Sequence, residues 1–179
     1  MRELKIVPIV HVQEETNIPY TPQKQMAVKQ AWEVIELVVR ACYVDWKGVQ
    51  LYIDGFTVPI TFKDPELTVD GYKLIYLKRL VELNSPLGRV IVELLSKGAI
   101  LESTEIPYKY FWLRYREVLA KAITNPVLYV KELDALDIER EKYISGNIGR
   151  TLKARGLFLI GRRHIGKFNF PEDVEVKTE

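Results

Sequence analysis

Apolar residues along the chain switch between strand-like and helix-like spacings, and this pattern predicts the first elements. Residues 4–12 (LKIVPIVHV) are rich in β-branched side chains and predict a strand. Pro8 has no N–H to donate to a sheet, so we expect an edge position or a bulge there. Residues 23–44 predict a helix, with Thr21 as its N-cap and Pro22 at the first helical position. The apolar stripe of this helix consists of Ala27, Ala31, Val34, Ile35, Val38 and Cys42.

The next stretch predicts a β-hairpin over residues 48–62 (GVQLYIDGFTVPITF). Its two β-rich arms flank Asp54 and Gly55, a pair that tolerates the positive φ angles of a tight turn. A loop over 63–71 separates this hairpin from three further elements. These are a helix over 72–83, a helix that Ser85 and Pro86 open and Gly98 closes, and a short strand over 99–102.

Beyond Pro107 the pattern turns helical and aromatic. We expect a helix over 108–124 that ends at Asn125 and Pro126, then a short helix over 127–136. The aromatic side chains of the first of these are Tyr108, Tyr110, Phe111, Trp112 and Tyr115. They are expected to fill a junction between two domains, and the alternative is that they stack the bases of a single strand. The remaining predicted elements are a helix over 144–155 with Gly156 at its C-cap, and two short strands over 157–163 and 167–170 around His164.

These elements predict an α+β protein in two parts. Residues 1–106 form a mixed α/β domain with a β-hairpin, for dimerisation or partner docking, and residues 107–170 form a second domain. Residues 171–179 (PEDVEVKTE) contain four acids and one lysine. We expect this acidic tail to be a disordered, solubilising end, with an autoinhibitory cover over a basic surface as the alternative.

Charge is concentrated in residues 142–170. This stretch holds seven Lys or Arg and no Asp or Glu, whereas the whole chain has a formal net charge of +2, so the remainder carries −5. A concentrated basic stretch in a nearly neutral chain is typical of a nucleic-acid site, and a solvated or protein-facing surface is the alternative.

Taken together, residues 108–170 resemble a winged helix-turn-helix domain. The run IGRTLKARGLFLIGRR is similar to the stretch that joins recognition helix to wing in transcription regulators and in some replication proteins. The resemblance implies helices at 108–124 and 127–136, a recognition helix at 144–155 and a wing at 157–170. Gly146 and Gly149 depart from this pattern, because an interior helix glycine costs about 1 kcal/mol relative to alanine. The helix would therefore begin nearer Asn147 or lie close to a partner backbone.

The resemblance implies contact with duplex DNA. Asn147 and Arg150 would reach base edges in the major groove, while lysines and arginines neutralise phosphates. Arg162, Arg163 and His164 would lie at the wing tip, against the minor groove or the backbone. The candidate nucleic-acid-binding residues are Asn147, Arg150, Lys153, Arg155, Arg162, Arg163, His164 and Lys167.

Composition bounds the class of protein. Apolar residues make up 47% and charged residues 28%, as in a globular soluble protein, and no apolar run reaches the roughly 20 residues of a membrane span. Cys42 is the single cysteine, so we expect no internal disulfide, a place in the apolar core and a cytoplasmic setting. Frequent Ile, Val, Lys and Glu are compatible with a thermophile. No phosphate loop, dinucleotide glycine motif or nucleophile elbow is present, so no cofactor is expected.

Three functions remain open. The leading hypothesis is a non-enzymatic DNA-binding protein in transcription or replication, with a protein partner or second copy at residues 1–106. The second is an accessory, non-catalytic subunit of a nucleic-acid-processing assembly such as a primase or replication complex. The third is an enzyme with a carboxylate metal site at Asp54, partnered by Asp45, Asp64 or Glu66. The preferred interpretation assigns Asp54 to its turn and His11 to a structural role, and expects neither a catalytic residue nor a metal ligand.

Overall fold

A computed structural model describes residues 1–10, 19–54, 85–104 and 108–179, together with Lys78 and Glu82. For residues 108–112 and 163 it describes the backbone only. The strands are β1 Arg2–Ile9, β2 Gln50–Ile53, β3 Ile100–Leu101, β4 Arg155–Gly161 and β5 Val174–Thr178. The helices are α1 Pro22–Ala41, α2 Pro86–Ser96, α3 Tyr108–Thr124 and α4 Pro126–Thr151, and a 3-10 turn spans Arg162–His164.

One parallel sheet of five strands, in the order β3-β2-β4-β1-β5, organises the described residues. This confirms the predicted mixture of helix and strand. β4 lies between β1 and β2, with Ile9 opposite Gly161 on one side and Ile53 opposite Leu159 on the other. Strands from both sides of the predicted boundary at residue 107 therefore share sheet hydrogen bonds.

Both faces of the sheet are covered, and β4 shows why. Its side chains alternate between two apolar clusters. Leu157 and Leu159 belong to the cluster that α1 and α2 cover, while Phe158 and Ile160 belong to the cluster under the second half of α4. A strand buried on both faces needs a continuous apolar run, and residues 157–160 (LFLI) supply one.

Pro8 occupies a position that tolerates a missing donor. Glu3 N donates to Ala154 O on the β4 side, whereas Arg2 N donates to Asp173 O on the β5 side. Backbone groups of a strand face its two neighbours alternately, so position 8 faces the β5 side. The pairing of β1 with β5 ends at Ile6, opposite Thr178. Pro8 thus lies where β1 is locally an edge, as predicted.

Helix starts follow the predicted capping residues. The Thr21 side chain accepts a hydrogen bond from Lys24 N, and the Ser85 side chain accepts one from Gly88 N. Asn125 ends α3 as predicted, and its side chain also caps α4 by accepting from Leu128 N. The buried face of α1 is offset from the predicted stripe. Trp32, Ile35 and Val39 are buried with Cys42, whereas Val34 is 60% exposed.

Two predictions about the second half of the chain are wrong at the level of elements. The helices expected at 127–136 and 144–155 are one helix, α4, because no residue within 137–143 breaks the pattern. The hairpin expected over 157–170 does not form, because β4 pairs in parallel with β1 and β2 and residues 167–170 are not a strand. Gly156 lies inside β4 rather than at a helix C-cap, and a Cβ there would meet Leu152 at 2.7 Å.

The acidic tail is also ordered, contrary to expectation. Its residues 174–178 form β5, which pairs in parallel with β1. Arg2 pairs with Asp173 at 2.7 Å and Lys177 pairs with Glu3 at 3.1 Å. Sheet pairing and opposite charges on β1 therefore hold these residues in place.

Backbone carbonyls at the amino edge of the sheet, where the strands begin, receive side-chain donors. Arg2 donates to Gly149 O and, at 2.9 Å, to Leu152 O at the end of α4. Gln50 donates to Thr151 O at 2.8 Å and its side-chain oxygen accepts from Lys153 N. A helix C-terminus leaves its last carbonyls unpaired, and these donors satisfy them.

Some predicted elements lie outside the described residues. The second arm of the hairpin at 48–62 and most of the helix at 72–83 are among them. Lys78 and Glu82 are helical and form an exposed pair at 3.8 Å. Across the described ranges, no helix is both long enough and apolar enough to cross a membrane.

Candidate functional site

The order of the strands identifies one edge of the sheet as the place for a site. From β1 the chain moves to β2 and β3 on one side, then returns to β4 and continues to β5 on the other. The chain therefore leaves the neighbouring strands β2 and β4 in opposite directions along the sheet. In open parallel sheets, ligands bind outside the carboxyl ends of the strands at such a switch point.

Asp54 lies at this carboxyl edge, directly after β2. One of its oxygens accepts from Gly161 N at 2.9 Å, at the end of β4, and the other pairs with Arg140 of α4. The Asp54 side chain is 8% exposed and that of Arg140 is 11% exposed. An ion pair withdrawn from water in this way is costly unless both partners stay hydrogen-bonded.

His164 continues the same group of side chains from the 3-10 turn after β4. Its Nε2 lies 3.2 Å from Arg140 Nη1, and its Nδ1 lies 3.2 Å from a carboxylate oxygen of Glu141. An arginine can only donate, so Nε2 accepts and Nδ1 carries the proton that it donates to Glu141. These contacts assign the tautomer of a histidine that is only 2% exposed. We call Asp54, Arg140, Glu141 and His164 the edge network.

A second layer of contacts holds Glu141. Ser145 donates its hydroxyl to Glu141 O at 2.7 Å and accepts from Asn169 N at 3.3 Å. Lys167 approaches the Glu141 carboxylate at 3.7 Å while half of its side chain stays exposed. The orientation of the His164 ring is therefore fixed by a carboxylate that is itself positioned by α4 and the segment after β4.

The metal hypothesis gains no ligand set in the described part of the chain, where no group of three or more His, Cys, Asp or Glu residues could hold a metal ion. Asp54 is paired with Arg140 instead. Asp45 precedes β2 and approaches Arg155 at 3.8 Å, so it lies at the opposite end of β2 from Asp54. Asp64, Glu66 and His11 lie outside the described residues.

The predicted nucleic-acid-binding residues are distributed over both edges of the sheet. Lys153 and Arg155 lie at the amino edge, next to the end of α4, whereas Arg162 and Lys167 follow the carboxyl end of β4. Seven residues of β4 separate the two groups by about 20 Å. Arg150 and Lys153 are exposed, as a phosphate contact needs, while Arg155 is half-buried and donates to Lys47 O at 3.1 Å.

Two of those residues do not have the predicted exposure. Asn147 is buried, donates to Ser103 O and accepts from Arg150, so its amide is already occupied within the chain. His164 is buried in the edge network rather than exposed at a wing tip. The Arg163 side chain is outside the described part.

Sequence reasoning missed Arg140 and Glu141 and assigned Asp54 to a turn. A usable signal was present, since Asp54 and His164 each follow a β-rich run within a few residues. Polar residues that follow successive strands converge at one edge only if the strands are parallel. The predicted hairpins at 48–62 and 157–170 paired each of these strands with an antiparallel neighbour, so this convergence was not expected. No family model, curated protein or solved structure matches this chain, so its function is argued from this geometry.

Proposed function

We propose that the protein is an enzyme that transfers a proton through His164 at the carboxyl edge of the sheet. The observation that carries the proposal is the edge network, a hydrogen-bonded chain from Glu141 through His164 and Arg140 to Asp54. Its members come from β2, α4 and the turn after β4. They meet at the edge where open parallel sheets bind their ligands.

The roles follow from the atoms. Nε2 of His164 accepts from Arg140 in the resting network, so it takes a proton only when Arg140 turns to the negative charge of a bound substrate, and Glu141 then stabilises the imidazolium that forms. Arg140 lies beside Nε2, so negative charge that develops on a substrate oxygen there meets a positioned cation. Asp54 holds Arg140 in place and acts as a positioning residue.

We assign the attack to water, because two candidate nucleophiles among the described residues are unsuitable. Cys42 belongs to the apolar cluster on the other face of the sheet, and burial raises the pKa of its thiol to about 11. The Ser145 hydroxyl is engaged with Glu141 O and Asn169 N. The proposed reaction is therefore hydrolysis, by a water that His164 deprotonates, of a substrate whose developing negative charge Arg140 receives.

The test is turnover of a panel of chromogenic esters, amides and phosphoesters. We expect activity that falls by about 10²–10⁴-fold in His164→Gln, the usual contribution of a general base. Lys153→Gln is the matched surface control and keeps full activity. If circular dichroism shows that His164→Gln is folded like the wild type and the two proteins have equal turnover, the role of His164 is refuted.

Duplex-DNA binding by the basic stretch stays a prediction, and the split between the two edges sharpens its test. Fluorescence anisotropy with a random duplex would compare an Arg150→Ala/Lys153→Ala variant with an Arg162→Ala/Lys167→Ala variant. Salt-sensitive binding that is lost in only one of them assigns the DNA to one edge of the sheet. Absence of binding by the wild type at low salt refutes the hypothesis.

A further inference from the structure

The outer edge of β5 presents backbone groups in a self-complementary order. Glu179 N donates to Ile6 O at 3.0 Å, and Arg2 N donates to Asp173 O at 2.9 Å. Odd-numbered residues of this strand therefore face β1, and even-numbered ones face away from it. Val174 N turns back to Pro171 O. The outward groups are Val174 C=O and both backbone groups of Val176 and of Thr178, and among the described residues none of them has a partner.

We propose that this edge pairs with β5 of a second copy of the same chain, antiparallel and about a two-fold axis at Val176. Val176 then lies opposite Val176 of the second copy and the two exchange both backbone hydrogen bonds. Thr178 N–H donates to Val174 C=O of the second copy, and the symmetric bond forms as well. The result is a continuous sheet that joins the five described strands of each copy and has no edge at β5.

Charge favours a second copy over other occupants. In this register Glu175 of one chain lies directly opposite Lys177 of the other, twice over. Both side chains are about half exposed within one chain. The strand is therefore complementary to itself in charge, because the two-fold axis sets its acid opposite its base. A shift of the register by two residues would instead set Glu175 opposite Glu175 or Lys177 opposite Lys177.

The apolar face of β5 supports the same pairing. Val174, Val176 and Thr178 line a groove of about 270 Å³ together with Ile6, Phe168 and Phe170. Val176 is 41% exposed there. Because the proposed two-fold axis is perpendicular to the sheet, the two Val176 side chains lie side by side at the meeting point of the two grooves, and each covers the other's exposed apolar surface.

Engineered cysteines test the pairing and its register. Val176→Cys places two thiols opposite each other, with Cα atoms about 5.5 Å apart, which suits a disulfide. Thr178→Cys is the matched control on the same strand and face. Its thiols would be about 14 Å apart, because four residues separate position 178 from its own copy across the axis. We expect a covalent dimer under mild oxidation for Val176→Cys and none for Thr178→Cys.

Val176→Pro tests the same edge without a new thiol. Proline removes an N–H that faces outward, so no bond inside the sheet is lost. We expect the wild type to sediment as a dimer and the proline variant to dimerise at least about 10-fold more weakly, with Val176→Thr close to wild type. The proposal is overturned by a wild type that stays monomeric at millimolar concentration, or by equal cross-linking of the two cysteine variants. If Val176→Pro does not fold, the cysteine pair still decides.

Discussion

The two edges of the sheet bury polar side chains in different ways. At the amino edge, Arg2 and Gln50 donate to backbone carbonyls at the end of α4, and Tyr43 donates to Gly156 O at the start of β4. Arg2 also pairs with Asp173, but that carboxylate is exposed. At the carboxyl edge, the nearly buried Arg140, His164 and Glu141 contact other side chains, and Asp54 also accepts from the backbone N–H of Gly161. The first arrangement secures the end of a helix. The second places ionisable groups against one another.

This difference separates side chains that stabilise the fold from side chains that are arranged for the proposed reaction. A carbonyl at a helix end must be satisfied in any fold, so donors aimed at it are explained by stability alone. Side chains that hold each other fix a tautomer and a cation beside it, which helix capping does not require. We therefore expect substitutions at the amino edge to lower stability and leave the proposed activity intact, and substitutions at the carboxyl edge to change both.

The largest effect is expected for Arg140→Ala. Removing the guanidinium leaves Asp54 nearly buried without its cation, which costs about 3–5 kcal/mol in buried pairs. Urea denaturation measures the loss. The control is Arg114→Ala, which breaks an ion pair with Glu139 that is half exposed on both sides and is expected to cost less than about 1 kcal/mol. Similar costs for the two variants would contradict the burial argument.

Gln50→Ala tests the amino edge. Gln50 is buried, and its loss leaves Thr151 O and Lys153 N without their side-chain partner. We expect a loss of about 2 kcal/mol in unfolding free energy, the usual cost of buried groups left unpaired. Turnover per folded molecule should equal that of the wild type. A fall in turnover as large as that of His164→Gln would remove the distinction between the edges.

Two glycines of α4, which runs past both edges, form a matched pair. Replacing each with alanine is expected to change the free energy of unfolding in opposite directions. A Cβ at Gly149 would lie 2.7 Å from Pro171 Cγ, whereas a Cβ at Gly146 meets nothing within 4 Å. We expect Gly149→Ala to destabilise by about 1–3 kcal/mol through overpacking. Gly146→Ala should stabilise by about 0.5–1 kcal/mol, because alanine loses less freedom in a helix. Thermal unfolding compares them, and a stabilising Gly149→Ala would contradict the contact with Pro171.

The smallest effect is a loss of stability at alkaline pH, caused by buried titratable groups near the amino edge. Burial raises the pKa of Tyr52 to about 12 and that of Cys42 to about 11, and it also raises the pKa of Tyr43. Unfolding returns these groups to ordinary pKa values near 8.5–10, so the unfolded chain releases protons first. Their contribution is intact below about pH 8.5 and is lost as pH rises through 11–12.

Urea denaturation at several alkaline pH values measures this slope. Tyr52→Phe lacks one titrating group and should show a shallower decline than the wild type above about pH 10. An identical slope in the two proteins would show that the Tyr52 hydroxyl does not titrate differently on unfolding.

Local sequence signals predicted local structure well. The strand at β1, the caps at Thr21 and Ser85, the burial of Cys42 and the turn at Gly98, whose φ is +91°, all depend on neighbouring residues. Pairing partners were not predictable in the same way. β1 and β4 are about 150 residues apart, and periodicity within either strand carries no information about the other.

The candidate site was harder to predict for the same reason. Arg140 and Glu141 lie in a charged run (EREK) that resembles a solvated helix face, and only the position of α4 above β2 and β4 buries them. Basic residues are indeed concentrated in residues 142–170. The fold distributes it over two edges because β4 runs through its middle.

The central place of β4 also has a consequence for how the chain folds. β1 and β2 are not neighbours, and no strand described before β4 joins them into a sheet. During synthesis both strands wait with unpaired edges until residues 155–161 emerge and insert between them. Such late, long-range closure slows folding and exposes strand edges to aggregation. We therefore expect a nascent chain that stops before β4 to depend on chaperones, and the full chain to join β1 to the β2–β3 pair in one late step.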